Sequence, residues 1–344
     1  MTIDMHAHWS PPELLEAFRA RKVPPHIVTG DDGVEMMVSK RGRQPLSGML
    51  AFDTLEKRIA EMDRQGVTTG VLSLFGPHQW IERLPVAESL PLVRLFNDSV
   101  SKVCAAYEGR FAAYASLPLA DMDAAVAEFE RAMSLPGIIG AIVPGNFFRT
   151  YADAQGIRPL LEAANRHRAV LFVHWGPRAG DEWPRVTPET DNFLRRLGTQ
   201  DMQANLSSCT ITLTMTDILD DYPNARIHIH NLGGNIPFEL ERMEHRNVLD
   251  TPEEPQPATR LRKPNLWYDC NSFGPKAIEM GVAAYGADRI VFGTDGTEFG
   301  AEWSTKALDD TSLSEAEKRL ILHDNAAAML SHLVPLAGFR EAAE

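Results

Sequence analysis

The sequence predicts an α/β fold, a closed (β/α)8 TIM barrel with a long loop after strand 1. Three observations predict it. First, eight short apolar segments alternate with helical segments along the 344 residues, the number at which parallel strands close into a barrel. Second, segments such as VLSL, AVLFVH and RIVFGTD are continuous apolar runs, the pattern of strands buried on both faces. Third, the competing open, doubly wound sheet would place a Gly-rich phosphate turn after its first strand, and residues 7–15 offer none. No internal repeat or flexible linker divides the chain, so residues 1–344 read as a single domain.

The elements follow in order. Residues 1–8 form a short apolar strand ending in His6-Ala-His8, and Pro11-Pro12 opens a turn and a short helix. Residues 22–50, rich in Gly, Pro and charge without a clear period, read as a long loop over the end of that strand. Residues 53–66 then form a helix closed by Gly66, and residues 67–74 a strand. Helices are expected at 89–108, 121–134 and 157–167, alternating with strands at 111–117, 140–143 and 169–174. A longer helical region spans about 187–221, followed by a strand at 226–230. Asn235 is placed to cap a helix over 236–247, and a polar Pro-rich loop comes next. Strand 266–270, helix 275–286 and strand 289–294 complete the alternation. Ser314-Glu-Ala-Glu317 has the spacing of a capping box at the start of a last helix.

Bulk properties narrow the function. A net charge of −13 argues against a nucleic-acid partner, which needs a basic surface, and against an anionic membrane surface. No apolar run approaches the ~18 residues of a membrane span. The three cysteines, Cys104, Cys209 and Cys270, are isolated and odd in number, which suits free thiols in a reducing compartment. No basic region followed by a long apolar stretch opens the chain, and a cytoplasmic protein is expected.

In a barrel of this kind the reacting groups sit at the C-terminal ends of the strands. Strand one ends in His6 and His8, which alternation turns to the same side. Strand five ends in His174, strand six in His228, Ile229, His230 and Asn231, and strand eight in Asp295. A histidine at a single strand end is ordinarily a satisfied polar group. Three such ends joined by an aspartate make the donor set of a divalent metal site, Zn or Mn. Asp295 can ligate the ion and also exchange protons beside it.

The stretches IDMHAH, RIAEMDRQGV, LFVHWG, YPNARIHIHNLGGNIPF, RIVFGTD and HDNAAAML, in order along nearly the whole chain, resemble the amidohydrolase superfamily. More narrowly, they resemble its amidohydrolase-related branch, typified by aminocarboxymuconate-semialdehyde decarboxylase. The resemblance implies a single divalent ion, Zn2+ first and Mn2+ second, held by His6, His8, His174 and Asp295. The superfamily's carboxylated lysine is not expected, and the strand-four segment GAIVPGN contains no lysine. The resemblance also implies a homodimer or homotetramer and a small carboxylic acid as substrate.

One position departs from the branch. A histidine is expected six residues before the Pro of the GGxxPF-like motif, and Asn231 stands there, with His230 one position earlier. Asn231 hydrogen-bonds but cannot titrate. Three readings follow: a bulge lets His230 serve, Asn231 orients substrate while Asp295 moves the proton, or the chemistry differs. Decarboxylases of the branch place an arginine on the substrate carboxylate, for which Arg41 and Arg43 are the candidates; as plain residues they read equally as solvated loop charges. Trp175 is placed to form a pocket wall, and Phe75, His78, Asn146, Phe147, Phe148 and Arg178 lie in loops at the same end. Asn271 or Asp269, at the strand-seven end, is expected to support the site. Asn325 is expected to tie the last helix to the barrel. The leading expectation is a metal-dependent non-oxidative decarboxylase of a small aromatic or conjugated carboxylic acid. The alternative is a hydrolase or hydratase on the same scaffold, using metal-activated water on an amide, ester, C–C bond or alkene.

Overall fold

The computed structural model describes residues 1–39, 42–46, 54–76, 78–182, 195–296 and 300–336. Its strands are β1 (Thr2–Trp9), β2 (His26–Thr29), β3 (Glu35–Ser39), β4 (Gly42–Pro45), β5 (Val67–Leu74), β6 (Phe111–Ala115), β7 (Ile138–Pro144), β8 (Val170–His174), β9 (Arg226–Ile229), β10 (Leu266–Asp269) and β11 (Ile290–Val291). Eight of them, in the order β1-β5-β6-β7-β8-β9-β10-β11, form one sheet, and every ladder in it is parallel. The sheet closes where the chain after β11 runs beside β1. Met5 N–H donates to Phe292 O at 2.9 Å, and the N–H groups of Thr294 and Asp295 both donate to His6 O, at 3.2 and 2.8 Å. The expected (β/α)8 barrel is therefore the fold. Its last strand, expected over 289–294, holds a regular ladder only at Ile290–Val291, because the chain beyond turns to present Asp295.

The barrel interior is a packed core. Ile3, Met5, Val71, Tyr114, Ile142 and Phe172 fill it, and Ala326, Met329 and Leu330 close the end opposite the strand C-termini. A second apolar layer lies between the strands and the surrounding helices. Several sequence signals act as expected. Thr54 caps the helix Leu55–Gln65 by accepting from Lys57 N–H, and Gly66 ends it at φ +71°. Ser314 and Glu317 form the reciprocal capping box. Asn325 Nδ2 donates to the carbonyls of Ala287 and Ile290, anchoring the last helix to the barrel.

Three expectations are corrected. The loop over 22–50 contains a three-stranded antiparallel sheet, β2-β3-β4. Its strands of four or five residues are too short to show a period, and buried Ile27, Met37 and Leu46 anchor it. Asn235 precedes the helix Ile236–Asp250 but makes no side-chain cap; Pro237, in its first turn, has no N–H to offer. The Pro-rich loop holds a short helix, Pro257–Leu261, begun by its proline. In the long helical region, residues 183–194 lie outside the described residues, and a π-helical turn Arg196–Asp201 leads into the helix Met202–Met215. Among the described residues no helix is long and apolar enough to cross a membrane.

One buried acid gives the fold a pH signature. Glu82, in the 3-10 turn His78–Arg83 after β5, is 1% exposed, and its Oε1 has no partner among the described residues. Burial, offset only in part by Arg83, pushes its carboxyl up to about 7. A raised acid pKa favours the folded state while protonated, so this contribution to stability is present below pH 4.5 and lost as pH rises to about 7. Glu82→Gln is therefore expected to stabilise the protein by about 2–3 kcal/mol at pH 8 and by under ~1 kcal/mol at pH 5. Urea unfolding of both proteins at the two pH values measures the difference.

Candidate metal centre

The centre begins with an irregularity in β1. Asp4 is paired with Gly70 and Ala7 with Leu72, so β1 spends three residues where β5 spends two. Such a bulge re-aims side chains. Met5 stays in the interior packing, while the rings of His6 and His8 meet at the strand's end, their Nε2 atoms 3.2 Å apart. His174, the last residue of β8, brings its ring centroid to 5.3 Å from His6 and 5.2 Å from His8. Asp295 adopts φ +56°, a conformation that aspartate tolerates better than most residues. Its Oδ1 lies 3.0 Å from His8 Nε2 and 3.6 Å from His6 Nε2.

Each of His6, His8, His174 and Asp295 offers one ligand atom, and these atoms all lie within 4.8 Å of one another. Donors ~2.1 Å from one ion stand ~3.0–3.4 Å apart, so the closest spacings are those of ligands sharing a cation. The ring tautomers agree. His6 Nδ1 meets Asp269 Oδ2 at 2.9 Å, His8 Nδ1 meets Ser73 Oγ at 2.9 Å, and His174 Nδ1 meets Trp175 O at 3.0 Å. With each Nδ1 proton donated outward, three Nε2 lone pairs converge at the strand ends. That arrangement repels itself unless a cation occupies the centre, so the donor set fits a divalent ion. His6 and His8 are buried, whereas His174 and Asp295 are both part-exposed, so the centre is open on the side where those two stand.

The charges follow from this packing. Burial lowers His8, and burial with His230, His8 and His6 pushes His174 well below the usual imidazole range. Burial also opposes a charge on His6, but the carboxylates of Asp269 and Asp295 outweigh it and hold His6 above its ordinary value. Burial would raise Asp295; His6 and His8 overcome it and hold the carboxyl well below the ordinary range.

The strand-six ambiguity takes a definite shape. Asn231 and Leu232 both have positive φ, +53° and +51°, so the chain kinks at this point. His230 lies against the ligands, stacked on His174 at 4.4 Å and 5.5 Å from His6 between ring centroids. Trp175 N–H donates to His230 Nε2 at 2.8 Å, which puts the ring proton of neutral His230 on Nδ1. That atom has no partner among the described residues, and burial, followed by His6, holds the ring down at about 3. Asn231 donates its backbone N–H to Asp269 Oδ1 at 2.9 Å; its own Oδ1 is buried and unpartnered among the described residues.

The remaining sequence candidates are placed as follows. Asn271 is fully buried, with its side-chain amide 2.6 Å from His6 Nδ1. Trp175 brackets two histidines with its backbone C=O and N–H. Arg43 is exposed on β4, opposite Val38 of β3, and Arg41 lies outside the described residues. Arg178 pairs with Asp153 and Asp181. Asp4 receives the N–H of His6 and Thr294 on Oδ1, both at 3.1 Å, and the Thr294 hydroxyl on Oδ2 at 2.6 Å. It thereby holds the turn that carries Asp295. Sequence reasoning missed Ser73, Thr294 and Arg58; the buried Arg58 donates to His8 O at 2.6 Å. It also passed over Gly293, where a Cβ would stand 2.9 Å from that of His6 and 3.2 Å from that of Asp269. A glycine inside an apolar strand is a signal for such close approach.

The amidohydrolase family model matches residues 3–331. The γ-resorcylate decarboxylase of Rhizobium sp. (strain MTP-10005) is 26% identical over 288 residues, covering 80% of this chain and 86% of that protein. The structure of a 2,6-dihydroxybenzoate decarboxylase complexed with 2,6-dihydroxybenzoate has a TM-score of 0.72 at 22% identity, covering 96% of this chain and 99% of that one. The dihydroxybenzoic acid decarboxylase of Polaromonas sp. JS666, with bound manganese and the inhibitor 2-nitroresorcinol, has a TM-score of 0.71 at 21% identity over 96% of each chain. A family match running from β1 to the last helix makes this chain a member of the amidohydrolase family.

Proposed function

We propose that this protein is a metal-dependent non-oxidative decarboxylase of small aromatic carboxylic acids. The observation that carries the reading is the convergence of His6, His8, His174 and Asp295 in a chain whose relatives over four-fifths of its length are named γ-resorcylate decarboxylases. The donor set accepts zinc or manganese. Zinc is the ion the ligand types favour, and manganese is the ion in the Polaromonas relative. When bound, the ion supplies Lewis acidity that draws electron density from a phenolate or carboxylate oxygen of the substrate.

The chain's own groups then have distinct roles. Asp295 is ionised in the resting site and accepts the proton that the substrate hydroxyl releases on binding. As the bond between ring and carboxylate breaks, the electron pair stays on the ring carbon. Asp295 returns its proton there, giving the arene and carbon dioxide, and no oxidant is consumed. His230 holds an N–H on Nδ1 for a substrate oxygen, and Asn231 brings a second polar group at the same strand end. Arg43 or Arg41 supplies the fork for the departing carboxylate, and the Trp175 ring forms an aromatic wall. Asn271 acts from beneath, through His6.

The test is an oxygen-free assay with carboxyl-labelled hydroxybenzoates, 2,6-dihydroxybenzoate among them, in 18O-water. Labelled carbon dioxide and an arene without 18O are expected. Turnover of amides or esters with 18O in the product, and none of the acids, would replace this reading with metal-assisted hydrolysis.

A further inference from the structure

Behind His6 lies a hydrogen-bonded chain that reaches down into the barrel. Asp269 Oδ2 meets His6 Nδ1 and His228 Nε2, each at 2.9 Å. Asp269 Oδ1 accepts the backbone N–H of Asn231 at 2.9 Å and of Asn271 at 3.3 Å. On its far side, His228 Nδ1 lies 3.0 Å from Tyr114 OH. Asp269, His228 and Tyr114 are all fully buried. The His228 ring stacks on Phe172 at 4.3 Å, and Tyr114 packs on the same phenyl ring at 5.0 Å.

Only one arrangement of protons satisfies this chain. Ionised Asp269 can only accept, so His6 donates from Nδ1 and His228 donates from Nε2. Neutral His228 is then an acceptor at Nδ1, and the Tyr114 hydroxyl must donate to it. The Asn271 amide, 2.6 Å from His6 Nδ1, fits this arrangement with its oxygen turned to that N–H, and every polar atom from Tyr114 to His6 is then paired, in one tautomer at each ring. No lysine or arginine pairs with Asp269 among the described residues, so its charge is directed at the two imidazoles.

We propose that Tyr114, His228 and Asp269 form a positioning chain that sets how strongly the ligand His6 holds the metal, with Tyr114 and His228 acting at a distance through Asp269. Asp269 fixes the Nδ1–H tautomer and makes the Nε2 lone pair a better donor, as carboxylates behind ligating histidines do. His228 keeps Asp269 oriented toward His6, and Tyr114 fixes the tautomer of His228. Their side-chain hydrogen bonds lead to the ion through Asp269 and His6. The inference rests on the proposed metal site.

The experiment is a double-mutant cycle on metal affinity, read by competition of Mn2+ between the protein and a fluorescent chelator. Asp269→Asn keeps the shape and removes the charge, and is expected to raise the Mn2+ dissociation constant about 10–100-fold. Tyr114→Phe deletes one hydroxyl, and is expected to raise it about 3–10-fold. Because Tyr114 acts through Asp269, the double variant should bind no more weakly than Asp269→Asn alone. Additive effects, or a Tyr114→Phe variant with a lowered Tm and unchanged Mn2+ affinity, would overturn the chain. If Asp269→Asn does not fold, Tyr114→Phe and His228→Gln carry the test, each expected to weaken Mn2+ binding. A parent protein that binds no Mn2+ removes the metal site itself, whereas a parent that binds with variants that match it removes only this inference.

Discussion

Asp295→Asn is expected to lower kcat for decarboxylation by about 10³–10⁴-fold, the contribution of a positioned proton-transfer group, even at saturating metal. The substitution changes almost no volume. It leaves the side chain beside His8 Nε2, 3.0 Å away, on a turn that Asp4 and Thr294 hold in place. What it removes is the capacity to take a proton from the substrate hydroxyl and return it to the ring carbon, together with one negative ligand. Metal affinity should therefore also fall. Raising the metal concentration should restore occupancy without restoring turnover, and that separation distinguishes loss of the proton carrier from loss of the ion. Steady-state kinetics over a metal titration, with bound metal measured in parallel, provides the check. Recovery of more than a tenth of the parent kcat at full occupancy would remove Asp295 from proton transfer.

Gly140→Ala is expected to be the most damaging single change to the fold. Gly140 lies within β7, paired with Val170 of β8. A Cβ at Gly140 would stand 1.7 Å from Val170 O, 2.6 Å from its carbonyl carbon and 2.8 Å from its N. All three are backbone atoms of the adjoining strand, so no rotamer change relieves the overlap. The two strands must separate, which breaks parallel ladder bonds in the barrel wall and disturbs β8, whose last residue is His174 of the proposed metal site. Destabilisation of at least ~4 kcal/mol is expected, the range reserved for disruption of buried structure, or no folded protein at all. Urea unfolding with circular dichroism measures it, and a loss under ~1 kcal/mol would show that the strands can move apart freely.

The fold and the convergence of the four candidate metal-binding side chains were legible in the sequence for the same reason. Parallel strands buried on both faces write themselves as apolar runs, and an imidazole or carboxylate ending such a run has few structural reasons to be there. His6, His8, His174 and Asp295 all stand at such ends. The supporting residues were less legible because they act through backbone geometry and distant pairing. Asp269 and Asn271 both stand at the end of β10 and are not told apart by position, and the partners of Asp269, His6 and His228, are 263 and 41 residues away in sequence. Tyr114 reads as an ordinary core aromatic in FAAYA. The role of Trp175 lies in its peptide groups, which composition does not reveal. The β1 bulge shows only as a register shift against β5, and the small sheet β2-β3-β4 is too short to print a period. Asn231 was the one local departure noticed, and the kink at positive φ shows why His230, one position earlier, can lie against the ligands.

The central claim, that four side chains from three strand ends hold one divalent cation, is tested most directly by titrating metal-stripped protein with Mn2+ and counting bound ions by electron paramagnetic resonance. One ion per chain is expected for the parent protein, with a sharp loss of binding in His174→Ala while the fold is retained. No bound Mn2+ in the parent protein, or equal binding in parent and His174→Ala, would contradict it.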